Sequence, residues 1–243
     1  MSIKLSIIVP CYNEEKNIPS LLSAFDAVIK RSDIELVLVN NGSTDNSEQV
    51  FNKLLPNYPF ARTLHVANNQ GYGFGIMSGL RAAKGNFLGW THADLQTDPQ
   101  DIVKALNIIE AKHDDPNLYV KGDRKGRPLF DQFFTAGMSL FESLYLAKKL
   151  WDINAQPNVF HRSFFDRWQE TAPDDFSLDL YVLYMAKNFS LKVERFNVMF
   201  PERQHGESSW NTGMAAKCKF IKRTLEFSME LKKELKHDPI YRS

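Results

Sequence analysis

Two kinds of hydrophobic pattern alternate along the first half of the chain. Leu5 to Val9, Ile34 to Val39 and residues 86 to 91 are short unbroken apolar runs, the pattern of strands covered on both faces in a parallel sheet. A further strand lies near Thr63 to Val66. Between the runs, Ile18, Leu21, Leu22, Phe25 and Ile29 recur at helical spacing, followed by Val50, Phe51 and Leu54, then Ile76, Leu80 and Ala83, and then Ile102, Val103, Leu106 and Ile109. Strand and helix therefore succeed one another. Right-handed crossovers then bring the polar loops that follow the strands to one edge of the sheet, where α/β folds bind ligands. Those loops are residues 10 to 15, 40 to 45 and 92 to 98.

The second half is less regular. Leu118 to Val120 reads as a strand, Lys121 to Pro128 as a basic glycine-containing loop, and Leu191 to Val198 as a late strand. Phe134, Met138, Phe141 and Tyr145 align at helical spacing, with Phe133, Leu140 and Leu144 widening the stripe. So broad a stripe is read as core packing; a lipid-facing surface has the same pattern. From about Met214 to Lys236 a basic helix interleaves Lys217, Lys219, Lys222, Arg223, Lys232 and Lys233 with Phe220, Ile221, Leu225, Phe227 and Leu231. It is read as a solvated lid on the domain, with a membrane-surface element as the alternative. No linker interrupts the pattern, so residues 1–210 are expected to form one domain and 211–243 a C-terminal helical extension.

Composition narrows the class. With 43% apolar and 24% charged residues in 243, the chain is globular and neither disordered nor fibrous. Lysine plus arginine number 30 against 29 acids, which gives no support for a nucleic-acid partner. Cys11 and Cys218 stand far apart without metal spacing, pointing to a reducing, cytoplasmic compartment. The N-terminus has no secretory-signal pattern, and no run of 18 apolar residues occurs, so membrane contact is expected to be peripheral.

Several polar segments could carry chemistry. His92, Asp94 and Gln96 follow the central apolar run, and Asp98-Pro99 then starts a helix. The helix start explains Asp98 and Pro99 but not the three residues before it. Gly71, Gly73 and Gly75 precede a helix whose N-terminus could hold phosphate; tight helix–strand packing explains them equally well. Asp45 suits a helix cap. The remaining histidines, among them His65, His113 and His161, lack ligand spacing and are read as structural or solvent-facing.

Five segments in order resemble the inverting family 2 glycosyltransferases: residues 9 to 15, 41 to 45, 71 to 73, 92 to 96 and 203 to 209. The branch they are most similar to is that of dolichyl-phosphate mannose synthase and bacterial polyprenyl-phosphate sugar transferases. The resemblance implies a GT-A fold, a Rossmann-like, mostly parallel central sheet flanked by helices. It also implies a nucleotide-diphosphate-sugar donor bound by Pro10, Tyr12, Asn13, Glu14, Asn41, Gly71, Gly73, His92, Ala93 and Asp94. A divalent cation, Mn2+ or Mg2+, is expected on Asp94, with Gln96 and His92 as further ligands; relatives commonly carry Asp-x-Asp here, and this chain has His92 as its first member. Relatives likewise usually carry aspartates where this chain has Asn40 and Asn41. Arg124, Arg127, Arg203 and Ser208 match positions that bind the acceptor phosphate.

The implied reaction is transfer of the sugar, with inversion, to a polyprenyl phosphate or an envelope glycan, at the inner face of a membrane. If the acceptor is instead a saccharide hydroxyl, proton removal needs a carboxylate, for which Asp174 or Asp175 is the candidate; that pair also suits helix capping. A nucleotide-sugar-binding homologue without catalysis is the rival from outside enzymes.

Overall fold

The computed structural model describes residues 2–200 and 214–237, with the backbone alone at 130, 214–220 and 234–237. Seven strands form one sheet in the order β3-β2-β1-β4-β6-β5-β7. The strands are β1 (Leu5–Cys11), β2 (Ile34–Asn41), β3 (Ala61–Val66), β4 (Phe87–Trp90), β5 (Leu118–Lys125), β6 (Asn158–His161) and β7 (Lys192–Met199). The helices are α1 (Ile18–Val28), α2 (Ser47–Leu54), α3 (Tyr72–Ala82), α4 (Gln100–Ala111), α5 (Leu129–Tyr145), α6 (Arg162–Phe165), α7 (Leu178–Asn188) and α8 (Met214–His237).

The apolar runs do form the centre. Every residue of β2 and β4 is buried, and β1 aligns Ile7 with Leu36 of β2 on one side and Gly89 of β4 on the other. Alternate residues of β1 and β2 serve opposite layers, as the two-residue period of a strand requires. Ile7, Val9, Leu36 and Leu38 pack with Phe25, Phe51, Ile102 and Leu106 from α1, α2 and α4. Ile8, Val37 and Val39 pack on the other face with Ile76 and Leu80 of α3 and with Tyr181 and Tyr184 of α7. The chain walks outward from β1 to β3, then returns to place β4 on the other side of β1. The ends of β1 and β4 therefore flank the point where strand order reverses, which is where a ligand crevice opens in such sheets.

The sheet is mostly parallel, as expected, with β6 pairing antiparallel with both β4 and β5. Two features depart from the sequence reading. Lys121 to Lys125, read as loop, continue β5 and pair with β7. The second is a correction to the core-packing expectation for the 133–145 stripe. Phe133, Leu140, Phe141 and Leu144 are exposed, whereas Phe134 and Met138 are half-buried and Tyr145 packs against the core; polar contacts hold the inward side as well, with Ser228 Oγ donating to Glu142 Oε2 at 2.7 Å and Lys232 Nζ to the Tyr145 carbonyl at 2.7 Å. α8 packs across α5 and α7 with Leu231 buried. No described helix is long and apolar enough to cross a membrane.

Candidate active site

Two loops at the carboxyl edge are laced together. Asn13 has a left-handed backbone (φ 57°), a conformation asparagine tolerates better than most residues. Its Oδ1 accepts from Thr44 N at 2.8 Å, while its own N donates to Ser43 Oγ at 3.1 Å. Glu14 N donates to Ser47 Oγ at 3.0 Å and Glu15 N to Asp45 Oδ2 at 3.1 Å; Asp45 Oδ1 accepts from Ser47 N at 3.0 Å, the helix-start role expected of it. Tyr12 stands exposed beside Asn13, and Pro10 lies half-buried at the strand end.

Asn41 closes β2 and is buried. Its Nδ2 donates to the Gly71 carbonyl at 2.9 Å, and its Oδ1 is buried without a partner. An aspartate here would set a carboxylate against that carbonyl, so the amide suits the contact. Gly71 (φ 112°) and Gly73 are required by packing. A side chain on Gly71 would come within 2.8 Å of the Asp174 carbonyl oxygen, and one on Gly73 within 2.6 Å of the Asp175 oxygen. Phe74 N, at the start of α3, donates to the Asp174 carbonyl at 2.8 Å. The glycines thus seat the 174–175 loop against the site edge.

Beyond β4, Thr91 N donates to the Ile8 carbonyl at 3.0 Å and Thr91 pairs with Thr97 through their hydroxyls at 2.8 Å, closing the loop that carries His92, Asp94 and Gln96. Ala93 is buried, and Asp94 is only 7% exposed. Asp94 Oδ1 accepts from Gln96 N at 3.1 Å, across Leu95, whose φ of 57° folds the loop back. The His92 ring lies 6.0 Å from that of Tyr72, which stacks on Phe176 at 4.7 Å. Among the described residues, no three His, Cys, Asp or Glu side chains gather as a ready metal cage.

A buried polar network that pattern reading did not find lies behind Tyr72. Gln156 Nε2 donates to the Tyr72 hydroxyl at 2.5 Å, and burial with the negative charge of Asp179 pushes that hydroxyl's pKa well up. Asp179, on the first turn of α7, accepts from Trp90 Nε1 at 3.3 Å and Asn158 Nδ2 at 3.1 Å. Lys121, fully buried, donates to Asn158 Oδ1 at 2.5 Å and the Ala155 carbonyl at 2.6 Å. Burial pulls its pKa down to about 7, against the pull of Asp179. The available signal was an acid set inside the apolar run Leu178 to Met185, since a buried charge needs partners.

The predicted acceptor residues separate. Arg124 grips the buried Asp152: its N donates to Oδ2 at 2.9 Å, its Nε to Oδ1 at 2.9 Å, and its Nη2 also reaches Oδ1. Burial alone would raise the Asp152 pKa, but the guanidinium holds it low. Arg127 is looser. It donates to Thr135 Oγ1 at 2.9 Å, stands 3.7 Å from Asp152, and keeps a buried Nε without a partner. Burial and then the Arg124 charge lower its pKa. Asp175 lies just ahead of α7, accepting from the N of the cap residue Ser177 at 2.8 Å, and stands 3.8 Å from Arg223 of α8. A cleft of about 380 Å³ opens there between the 171–175 loop and α8. Arg203 and Ser208 lie outside the described residues.

A model of glycosyl transferase family 2 matches residues 6–168. Among curated relatives, an undecaprenyl-phosphate 4-deoxy-4-formamido-L-arabinose transferase of Serratia proteamaculans is 24% identical over 216 residues, covering 86% of this chain and 63% of that protein. This chain thus spans less than two thirds of that relative's length. Glucosyl-3-phosphoglycerate synthase from Mycobacterium tuberculosis, solved with UDP, superposes with a TM-score of 0.69 at 16% identity, covering 94% of this chain and 79% of the other. A mannosyltransferase from Pyrobaculum calidifontis, solved with GDP-mannose and Mn2+, gives 0.67 at 16% identity, covering 95% and 65%. At such identities the likeness is one of fold.

Proposed function

The chain belongs to glycosyl transferase family 2 and has the GT-A fold, and from that premise we propose that it transfers a sugar, with inversion, from a nucleotide-diphosphate sugar to a polyprenyl phosphate. The carrying observation is the buried Asp94 at the end of the central strand, flanked by the laced 12–15 and 43–47 loops at the point where strand order reverses. Pro10, Tyr12, Asn13, Glu14 and Asn41 line the donor's base and ribose, with the unpaired Asn41 Oδ1 as an acceptor for a ring N–H. Gly71, Gly73, His92 and Ala93 complete the donor side.

The acceptor phosphate is itself the nucleophile, so no strong base is needed. One of its oxygens bonds to the anomeric carbon as the bond from that carbon to the nucleoside diphosphate breaks, and the departing diphosphate takes the electron pair. Arg127 is the cation for the acceptor phosphate, because its Nε is unpaired while Arg124 is committed to Asp152. Arg203 and Ser208 join it as the resemblance implies. Asp94, with Gln96 and, more weakly, His92, would hold Mn2+ or Mg2+; one buried carboxylate and no ready cage fit an ion whose other ligands are donor phosphates and water. Such an ion supplies charge neutralisation to the leaving diphosphate. The reading places the protein on the cytoplasmic face of a membrane. The relative's acceptor, undecaprenyl phosphate, supports it over a saccharide hydroxyl, as does Asp175's engagement with Ser177 and Arg223.

One assay with two variants tests this. Asp94→Ala is expected to lower manganese-dependent transfer about 100-fold or more. Arg127→Ala is expected to lower transfer to polyprenyl phosphate at least about tenfold while donor hydrolysis stays near wild type. Wild-type activity in Asp94→Ala would sink the donor-site assignment. Unchanged transfer by Arg127→Ala would reject the acceptor role.

A further inference from the structure

We propose that the outward stripe of α5 is a membrane-docking face that seats the protein on an anionic bilayer beside its acceptor arginine; this rests on the polyprenyl-phosphate reading. Leu129, Phe133, Leu140 and Leu144 are 73%, 75%, 62% and 74% exposed. At about 100° per residue they fall within an arc of roughly 60° on one side of the helix. A methyl group added at Gly137 would meet nothing within 4 Å. An unpartnered row of large apolar side chains marks an interaction surface.

The rotation of α5 is fixed from behind. Glu142 and Ser139 are buried, Glu142 accepts from Ser228 of α8, and Lys232 of α8 donates to the Tyr145 carbonyl. Rolling the apolar row inward would break both contacts to α8 and carry the buried Ser139 and Glu142 out of the interior. The row is presented outward by construction.

Charge selects the partner. At the N-terminal end of α5 Lys125 pairs with Asp123 at 2.7 Å and Asp131 lies in the first turn, whereas at its C-terminal end half-buried Lys148 and exposed Lys149 follow it and Lys232 adjoins it. On α8, Glu226 and Glu230 line the 171–175 cleft. An apolar row with a cluster of lysines at its C-terminal end suits an anionic headgroup layer, and the like charge disfavours a second copy docked on the same end. Trp151, exposed and amphipathic, lies at the same end as the arginines: its carbonyl accepts from Arg195 Nη2 and its Nε1 donates to Asp123 Oδ1 at 3.3 Å. Leu129 is two residues from Arg127, which sets the start of the stripe beside the arginine proposed to hold the acceptor phosphate.

The full chain is sedimented with vesicles of phosphatidylcholine plus phosphatidylglycerol and with phosphatidylcholine alone, and compared with Phe133→Ser/Leu144→Ser. Wild type is expected to pellet with the anionic vesicles, less so at high salt. The double variant is expected to lower the partition coefficient at least about tenfold with an unchanged melting temperature, because both side chains are already exposed in the folded state. Transfer to a short, water-soluble isoprenyl phosphate stays within about twofold of wild type, while transfer to vesicle-embedded acceptor falls with binding. Equal pelleting of both proteins, or none by wild type, overturns the docking face. So does a dimer, seen by sedimentation velocity, that the same substitutions dissociate in place of vesicle binding. If wild type uses neither acceptor yet pellets in a stripe-dependent way, the transferase reading falls and the docking face stands.

Discussion

Lys121 offers a quantitative test of how the site is built. Its amine is buried in β5 with two oxygen partners, and burial lowers its pKa from the ordinary 10.5 to about 7. In the unfolded chain it titrates at the ordinary value. Between pH 7 and 10.5 the unfolded state therefore binds more protons than the native state, and stability must rise with pH across that window. The cost of burying this amine is full below pH 7 and fades as pH climbs toward 10.5. At 1.36 kcal/mol per unit, the cost is about 4 kcal/mol at pH 7 and about 2 kcal/mol at pH 9. Lys121→Met removes the titration while keeping a long apolar side chain; groups common to both proteins cancel in their difference. Urea unfolding at pH 7 and pH 9 should show the stability of wild type relative to the variant increasing by about 2 kcal/mol. A difference that stays constant over that range would refute the buried, depressed lysine and with it the network drawn behind Tyr72.

Two further outcomes follow from packing and charge. Gly73→Ala drives a methyl group into the backbone of Asp174 and Asp175, at 2.6 Å from each of two atoms, and is expected to cost about 3 kcal/mol, whereas Gly137→Ala meets open space within a helix and is expected to stabilise by about 0.5–1 kcal/mol; thermal unfolding of the pair separates them. Glu142→Gln removes a carboxyl that burial raises to about 6 and whose Oε1 has no partner. The native state binds the extra proton between 4.5 and 6, so the variant's advantage, about 1 kcal/mol by urea unfolding at pH 7.5, should vanish as pH falls through that window.

Much of the site was legible because it is local. The apolar runs ending at Val9, Val39 and Trp90 read as buried strands, and the polar segments after them had to share an edge once the crossovers were right-handed. Asp94 could be singled out because a helix start explains Asp98 and Pro99 but leaves Asp94 over. Asp45, read as a helix cap, lies one residue ahead of the cap position Asn46 and accepts from the N of Ser47, the first residue of α2.

What the chain alone left open is which distant segment meets which. Gly71 and Gly73 needed a close neighbour, but only the tertiary structure supplied Asp174 and Asp175 as that neighbour. The two arginines proposed for the acceptor look equivalent in sequence; Asp152, 28 residues beyond Arg124, occupies Arg124 and leaves Arg127 Nε unpaired. Lys121, at the start of a basic stretch, and Asp179, single in an apolar one, carry no periodic signal; each finds its partners across the fold. The stripe of α5 shows the limit most plainly. Periodicity fixes which residues share a face of a helix, while the direction that face points depends on contacts elsewhere, here Ser228 and Lys232 of α8 holding the polar side inward. The alternation of strands and helices in the first half, and the edge that carries Asp94, were thus determined by the sequence pattern; the order of strands was not. The partners of each buried charge, and the outward face of α5, were decided by long-range packing that no local period records.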